Sequence, residues 1–385
     1  MASLIEQETP NLLHLRHSIH QHPELSRQEV ETTARIEQAL AETHARVRRG
    51  PAGVGLIVDI GPPNLPQILV RGDIDALAIQ EQTGLPFQSA RCGVMHACGH
   101  DVHTSSVFGA LRVLAQIAPE RAFRFVFQHA EEVNPGGAVD LIQAGVLEGV
   151  AAAISLHCDP TRPVGRFAIQ DGPITASNDQ FWIDVYGAGG HGARPHETQD
   201  TVLAAAQIIQ AIYHAFDRCV DARNPFVISV GVIHGGDQSP NVLPTKVRFG
   251  GSIRSTHKEV REKIAPILQR TLEGMASALG VRYALELLPG SPGVCNDLRV
   301  VEVFREAVVS LFGEEALQPI GLPSMGGEDF AFFAERVPSA MIRVGSGLST
   351  ALHTPTFTAD DQTVPLAAHL LARTALLLSS RLPLD

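Results

Sequence analysis

The chain has 385 residues, 44% hydrophobic and 18% charged, a globular profile long enough for two domains with sizeable cores. Its formal net charge is −11, and no Lys/Arg run could neutralise a phosphate backbone, which argues against nucleic acid as a partner. No apolar stretch reaches the ~18 residues that span a bilayer, and "MASLIEQETPNLLHL" lacks both the basic and the apolar region of an export signal. The five cysteines are odd in number and widely spaced, so free thiols in a reducing cytoplasm are expected.

In chain order, "GVGLIVDIG" and "QILVRGDID" read as strands, rich in β-branched and aliphatic residues. Residues 103–117 have helical periodicity. "FRFVFQHAEE" reads as a strand, "GGAVDLIQAGVLEG" as a helix and "AAAISLHC" as a short buried strand. Strands alternating with helices predict an α/β domain, a parallel or mixed sheet covered on both faces. Near Ser177 the pattern changes. "DQFWIDVYG" alternates as a strand, and "TQDTVLAAAQIIQAIYHAF" is a long helix. Two strands follow, "PFVISVGVIHGG" and "TKVRFGGSIRS", then a second helix and the strand "VRYALELLPG". The order β-α-β-β-α-β is that of a ferredoxin-like α+β domain. It is expected to occupy residues 178–289, inserted into a catalytic domain formed by residues 1–177 and 290–385, with "DGPITAS" and "PGSPGV" as hinges. "SAMIRVGSG" reads as a returning strand, and "LAAHLLARTALLLSS", interrupted by His369 and Arg373, as a packed helix.

"MHACGHDVH" concentrates metal-avid side chains just after a predicted strand end. Cys98 and His100, flanking Gly99, can turn a thiolate and an imidazole toward one centre; the plain alternative is a capping loop with a buried thiol. Glu131 and Glu132 close the predicted strand from Arg124, where successive residues point to opposite sides. One could ligate while the other reaches a water; two solvated acids are the alternative. His157 ends a third apolar strand, and His353 follows the turn "GSGLST". Such ends converge at one edge of an α/β sheet. Five ligands and a spare carboxylate exceed what one structural zinc needs and suit two metals sharing a water.

"GAGGHG" at residues 187–192 matches a dinucleotide-binding glycine pattern after a strand. The helix is delayed past Pro195, and no acid ends a second strand about 20 residues on, which argues against it.

Together "MHACGHDVH", "HAEE", "DIDAL", "GGHGARPH", "PNVLPTKVRFGGSIRS", "GGEDFAFFAERVP" and "LHTPTF" resemble the M20 metallopeptidase/aminoacylase family, and within it the hippurate hydrolase-like amidohydrolase branch. The likeness runs from "RHSIHQHPELS" to the last helix. It implies a zinc-peptidase-like catalytic domain with an inserted ferredoxin-like lid and dimerisation domain. It implies two divalent metal ions per chain on Cys98, His100, Glu132, His157 and His353, with Glu131 as general base. Zn²⁺ is the first choice, with Mn²⁺, Co²⁺ or Ni²⁺ as alternatives. Asp75 would orient a ligand. His191 would reach an active site, in many relatives the partner subunit's, and Asn241 and Arg254 would hold the substrate carboxylate. Three departures stand out. Ala78 replaces a usual Pro, His129 replaces a usual Pro, and "EEVNPGGA" is longer and less glycine-rich than the usual loop.

The function implied is hydrolysis of an N-acyl (acetyl, benzoyl or similar) amino acid to a carboxylic acid and a free amino acid. The expected enzyme is a cytoplasmic homodimer paired through the lid, a tetramer being the alternative, without membrane contact. A dipeptidase or carboxypeptidase of the same family is the second reading. An inert binding protein would have lost a ligand or the base, and a NAD-dependent oxidoreductase would need the missing acid.

Overall fold

The computed structural model describes residues 1–382 except Glu42, Asp237 and Gln238. The chain forms two compact units. The first comprises Met1–Ile174, Val294–Leu322 and the chain from Asp329 onward; the second comprises Thr175–Gly293 and Pro323–Glu328.

The first unit is built on an eight-stranded mixed sheet. Its early strands are β1 (Arg46–Arg49), β2 (Leu56–Ile60), β3 (Gln67–Asp73), β4 (Phe123–Gln128) and β5 (Val150–Asp159). The order is β1-β2-β4-β3-β5, then Ser339–Gly345, Phe167–Ala168 and Leu317–Gln318. β3 runs parallel to both β4 and β5, and Ser339–Gly345 runs parallel to β5. The early helices are α1 (Ala2–Gln21), α2 (Val30–Ala39), α3 (His100–Ile117) and α4 (Gly137–Gln143).

Period-two alternation explains why both faces are covered. Ile68, Val70, Phe123, Phe125, Phe127, Ile154 and Leu156 point into the larger core with the helices α1, α3 and Thr363–Ser380. Their neighbours Leu69, Val126 and Ala153 point into a second core with Leu141, Phe330 and Phe333. The helix Thr363–Ser380 is long and apolar enough to cross a membrane, yet Leu370, Leu371 and Leu378 are buried in the larger core. Because β4, β3 and β5 are parallel neighbours, their C-terminal ends bring Asp73, Gln128 and His157 to one edge.

Three local features differ from the sequence expectation. Helices α1 and α2 lie outside the elements expected from the sequence pattern. The strand predicted to run through Glu132 stops at Gln128, because Ala130 turns into the left-handed region (φ 54°). Helix α3 starts at His100, on Gly99 with φ 86°. A side chain there would also collide with Cys158, its Cβ lying 2.8 Å from Sγ, so glycine is required twice over.

The second unit has the chain order β-α-β-β-α-β in its main elements. Its four-stranded antiparallel sheet runs Phe226–Gly235, Lys246–Ser255, Asp179–Tyr186, Arg282–Leu288. Phe181, Ile183, Val185 and Phe249 pack against Ile208, Ile212, Leu268 and Leu272 of the helices Thr201–Cys219 and Ile264–Leu279. Asp200 caps the first of these, its carboxylate accepting from Val202 and Leu203 N–H.

Candidate active site

At the C-terminal edge of the first unit's sheet, the structure gathers Cys98, His100, Glu131, Glu132, His157 and His353. Ligand atoms of Cys98, Glu132 and His353 all lie within 4.8 Å of one another, as do those of His100, Glu131 and Glu132. Cys98 Sγ is 3.5 Å from His157 Nε2. His353 Nε2 is 3.2 Å from Glu132 Oε1, though without the alignment of a hydrogen bond. His100 Nε2 lies 3.8 Å from Glu132 Oε1 and 3.9 Å from Glu131 Oε2.

Each donor is aimed by the backbone around it. His100 Nδ1 is 2.9 Å from the Asp75 carbonyl and 3.2 Å from Asp75 Oδ1. His157 Nδ1 is 2.8 Å from the Cys158 carbonyl. In the neutral rings these contacts put the proton on Nδ1 and leave the Nε2 lone pair facing the cluster. His353 has φ 62°, and its N–H donates to the Ala97 carbonyl at 2.8 Å, tying it to the Cys98 loop.

The electrostatics are those of a cation site. Asp73, Asp75, Glu131 and Glu132 crowd His100. Burial disfavours the imidazolium of His100, yet Asp73, Cys98 and Asp75 outweigh it and hold its pKa well above the ordinary value. Burial, then the Glu132 carboxylate, pushes the Cys98 thiol well above its usual range. Contact with Glu132 raises His353, whereas burial and Arg343 depress His157. A divalent cation neutralises such a concentration of acidic groups.

The residues fit a metal by a direct test. His100 Nε2 and Glu132 Oε1 are buried and have no hydrogen-bond partner among the described residues. Buried polar atoms are ordinarily satisfied; a carboxylate oxygen is a cation ligand, and so is the imidazole nitrogen once a cation takes the place of its proton. Donor separations of 3.2–3.8 Å suit atoms each about 2 Å from a common centre.

A buried polar layer supports these groups. His103 is fully buried; its Nδ1 is 2.7 Å from Asp73 Oδ1, and its Nε2 accepts the Cys158 N–H at 2.9 Å. Both nitrogens are thereby used, so His103 pins the strand end beside His157 instead of ligating. Arg71 pairs with Asp73 at 2.6 Å and with Asp329 at 2.8 Å, and Gln128 donates to Asp329 at 2.7 Å. Asp75 Oδ2 accepts the Glu132 N–H at 3.0 Å and the Ser26 hydroxyl at 2.7 Å. Asp101 holds Arg16 and His20 of α1. Apart from Asp75, the sequence reading assigned these supports no role. The available signal was "RHSIHQHPELSRQE", a polar stretch dense in residues that pair when buried.

His191, Asn241 and Arg254 belong to the second unit. His191 is exposed on Gly190–His191, which pairs with Val242–Leu243, and the Gly192 N–H donates to the Asn241 carbonyl at 2.9 Å. His191 and Asn241 thus share one hairpin-like pairing. Arg254 is half-buried on Lys246–Ser255 and donates to the Met325 carbonyl at 2.8 Å.

Residues 69–377 match the sequence model of peptidase family M20/M25/M40. An N-acetylcysteine deacetylase of Bacillus subtilis is 37% identical over 370 residues, covering 95% of this chain and 96% of that protein. An N-acyl-L-amino acid amidohydrolase of Geobacillus stearothermophilus is 35% identical over 296 residues, 76% of this chain and 80% of that protein. A longer Rhodococcus jostii protein carrying a glutamate–cysteine ligase name is 40% identical over 361 residues, and the match spans 45% of its length. Among solved structures, the Bacillus subtilis YXEP protein, described as a dinuclear metal-binding M20 peptidase, superposes with a TM-score of 0.86 at 34% identity, covering 97% of this chain and 99% of that one.

Proposed function

The chain belongs to peptidase family M20/M25/M40, and on that premise we propose that it is a dinuclear metal-dependent amidohydrolase of N-acyl amino acids. One observation carries the reading. Two buried donor atoms with no hydrogen-bond partner among the described residues, His100 Nε2 and Glu132 Oε1, stand among Cys98, His157 and His353 with Glu131 alongside. The names of the deacetylase and amidohydrolase relatives support the substrate class, and the dinuclear description of the structural neighbour supports two ions.

In this reading Cys98, His100, Glu132, His157 and His353 hold the ions. A thiolate and three imidazoles favour Zn²⁺. When bound, the metals supply Lewis-acid polarisation and a lowered pKa for water. The chain supplies the rest. Glu131 takes a proton from the attacking water onto its carboxylate and returns it to the leaving amine nitrogen. Asp75 keeps His100 in the tautomer that exposes Nε2. His191 donates to the oxyanion, and Arg254, with Asn241, receives the substrate carboxylate on its planar fork.

The second unit serves as lid and dimerisation unit. Strand Phe226–Gly235 is a sheet edge and exposes Val227, Val232 and Ile233, a surface suited to pairing with a second copy. A carboxypeptidase is the second reading, favoured by a 33% identical Saccharolobus solfataricus relative named thermostable carboxypeptidase 1. Turnover of N-acetyl and N-benzoyl amino acids against a dipeptide panel, each with a chelator control, separates the two. Hydrolysis confined to the dipeptides overturns the proposal.

A further inference from the structure

Glu29 is completely buried, 0% exposed, and belongs to no part of the chemistry described above. It stands at the N-terminal boundary of α2. Its Oε1 accepts the Ala130 N–H at 2.7 Å, across 101 residues of sequence. Its Oε2 has no hydrogen-bond partner among the described residues. A buried carboxylate is costly to keep, so its place calls for a physical account.

The account lies in what Ala130 does. Ala130 carries a Cβ yet adopts φ 54°, a conformation that disfavours L side chains and persists only where neighbours enforce it. The turn it makes ends β4 and sends the chain into Glu131 and Glu132. Three contacts enforce it. Glu29 takes the Ala130 N–H, and the Ala130 carbonyl accepts the Gly137 N–H at 2.9 Å. Asp75 takes the Glu132 N–H at 3.0 Å. Glu29 and Asp75 therefore hold the peptide N–H groups on either side of Glu131. The segment carrying Glu29 is itself fastened to the segment carrying Asp75: the Ala76 N–H donates to the Glu24 carbonyl at 2.8 Å, and the Ser26 hydroxyl donates to Asp75 at 2.7 Å.

We infer that Glu29 is a positioning residue for Glu131, holding the left-handed turn at Ala130 that aims the general base. This inference rests on the reading of Glu131 as that base. Asp75 remains to hold Glu132, so loss of Glu29 displaces the base more than the metal ligand.

The test compares Glu29→Ala, Glu29→Asp and Glu29→Gln in the metal-loaded protein, with Glu131→Gln and the double variant Glu29→Ala/Glu131→Gln. Gln keeps an oxygen at the same reach for the Ala130 N–H, whereas Asp keeps the carboxyl group and draws it back by one methylene. The expected result for Ala and Asp is a kcat about 10²-fold lower, the scale of a 1 Å misplacement, with KM and metal content near the wild type. Gln restores turnover. The double variant is no slower than Glu131→Gln alone, since the two act as one unit. Where Glu29→Ala does not fold, the Asp and Gln pair decides. Unchanged kcat in the Ala or Asp variant, or a loss in Gln with full turnover in Asp, overturns the inference and leaves the role of Glu131 standing. Near-normal turnover in Glu131→Gln overturns the base assignment itself, and the role of Glu29 with it.

Discussion

His100 Nδ1 lies 2.9 Å from the backbone carbonyl of Asp75 and 3.2 Å from Oδ1 of the same residue. One aspartate thus orients the imidazole whose Nε2 faces the cluster, and its second oxygen holds the Glu132 N–H. Replacing Asp75 by Asn puts an amide where two N–H donors need acceptors. Metal affinity, measured by chelator competition, is expected to fall about 10–100-fold, the usual effect of removing a group that orients a ligand. Wild-type affinity in Asp75→Asn refutes the orienting role.

Glu131 and Glu132 are adjacent and chemically identical, yet they are expected to fail differently. Glu132→Ala removes a proposed ligand and is expected to lower metal content and melting temperature together, because bound metal stabilises the fold that holds it. Glu131→Gln keeps shape and metal and loses turnover by ~10²–10⁴-fold. Metal analysis, thermal denaturation and kinetics on both variants check this. Metal lost from Glu131→Gln and kept by Glu132→Ala reverses the two roles.

Cys98→Ser exchanges a soft thiolate donor for a hydroxyl. Competition titrations are expected to show weaker Zn²⁺ binding and a shift toward harder cations such as Mn²⁺. Equal Zn²⁺ affinity in the two proteins removes Cys98 from the ligand set.

His20 gives a prediction for stability against pH. Burial opposes its charge, but Asp101 at 3.0 Å and Glu81 at 3.2 Å outweigh burial and raise its pKa from 6.5 to about 9. A raised folded-state pKa stabilises fully below the unfolded value, here 6.5, and the benefit is lost as pH rises through about 9. The shift corresponds to roughly 2–4 kcal/mol. Urea denaturation of wild type and His20→Gln is expected to show a large stability difference at pH 6 that shrinks toward pH 10. A difference independent of pH contradicts the ion network.

The proposed ligand set could be picked out in the sequence because its members stand near strand ends, in short loops and at the start of α3, where an α/β sheet collects its site. The supports were hidden for a physical reason. Glu29 meets Ala130 across 101 residues and His103 meets Cys158 across 55, and a hydrogen bond of that range leaves no periodic trace. Helix α1 was obscured in another way. Its buried stripe includes Glu8, Arg16 and His20 beside Leu12, Leu15 and Ile19. Polar residues that are buried by pairing blur the apolar periodicity on which a helix assignment rests. The strand expected to continue through Glu132 was ended by a left-handed alanine, a conformation that residue type does not announce.

The cluster around His100 and Glu132 is proposed to hold two catalytic metal ions. Its most direct test is elemental analysis of the purified protein paired with hydrolysis of an N-acetyl amino acid before chelation, after it, and after metal is restored. The expected result is about two divalent ions per chain, activity lost in step with the metal, and recovery with Zn²⁺, Mn²⁺ or Co²⁺. Full turnover by metal-free protein would contradict it.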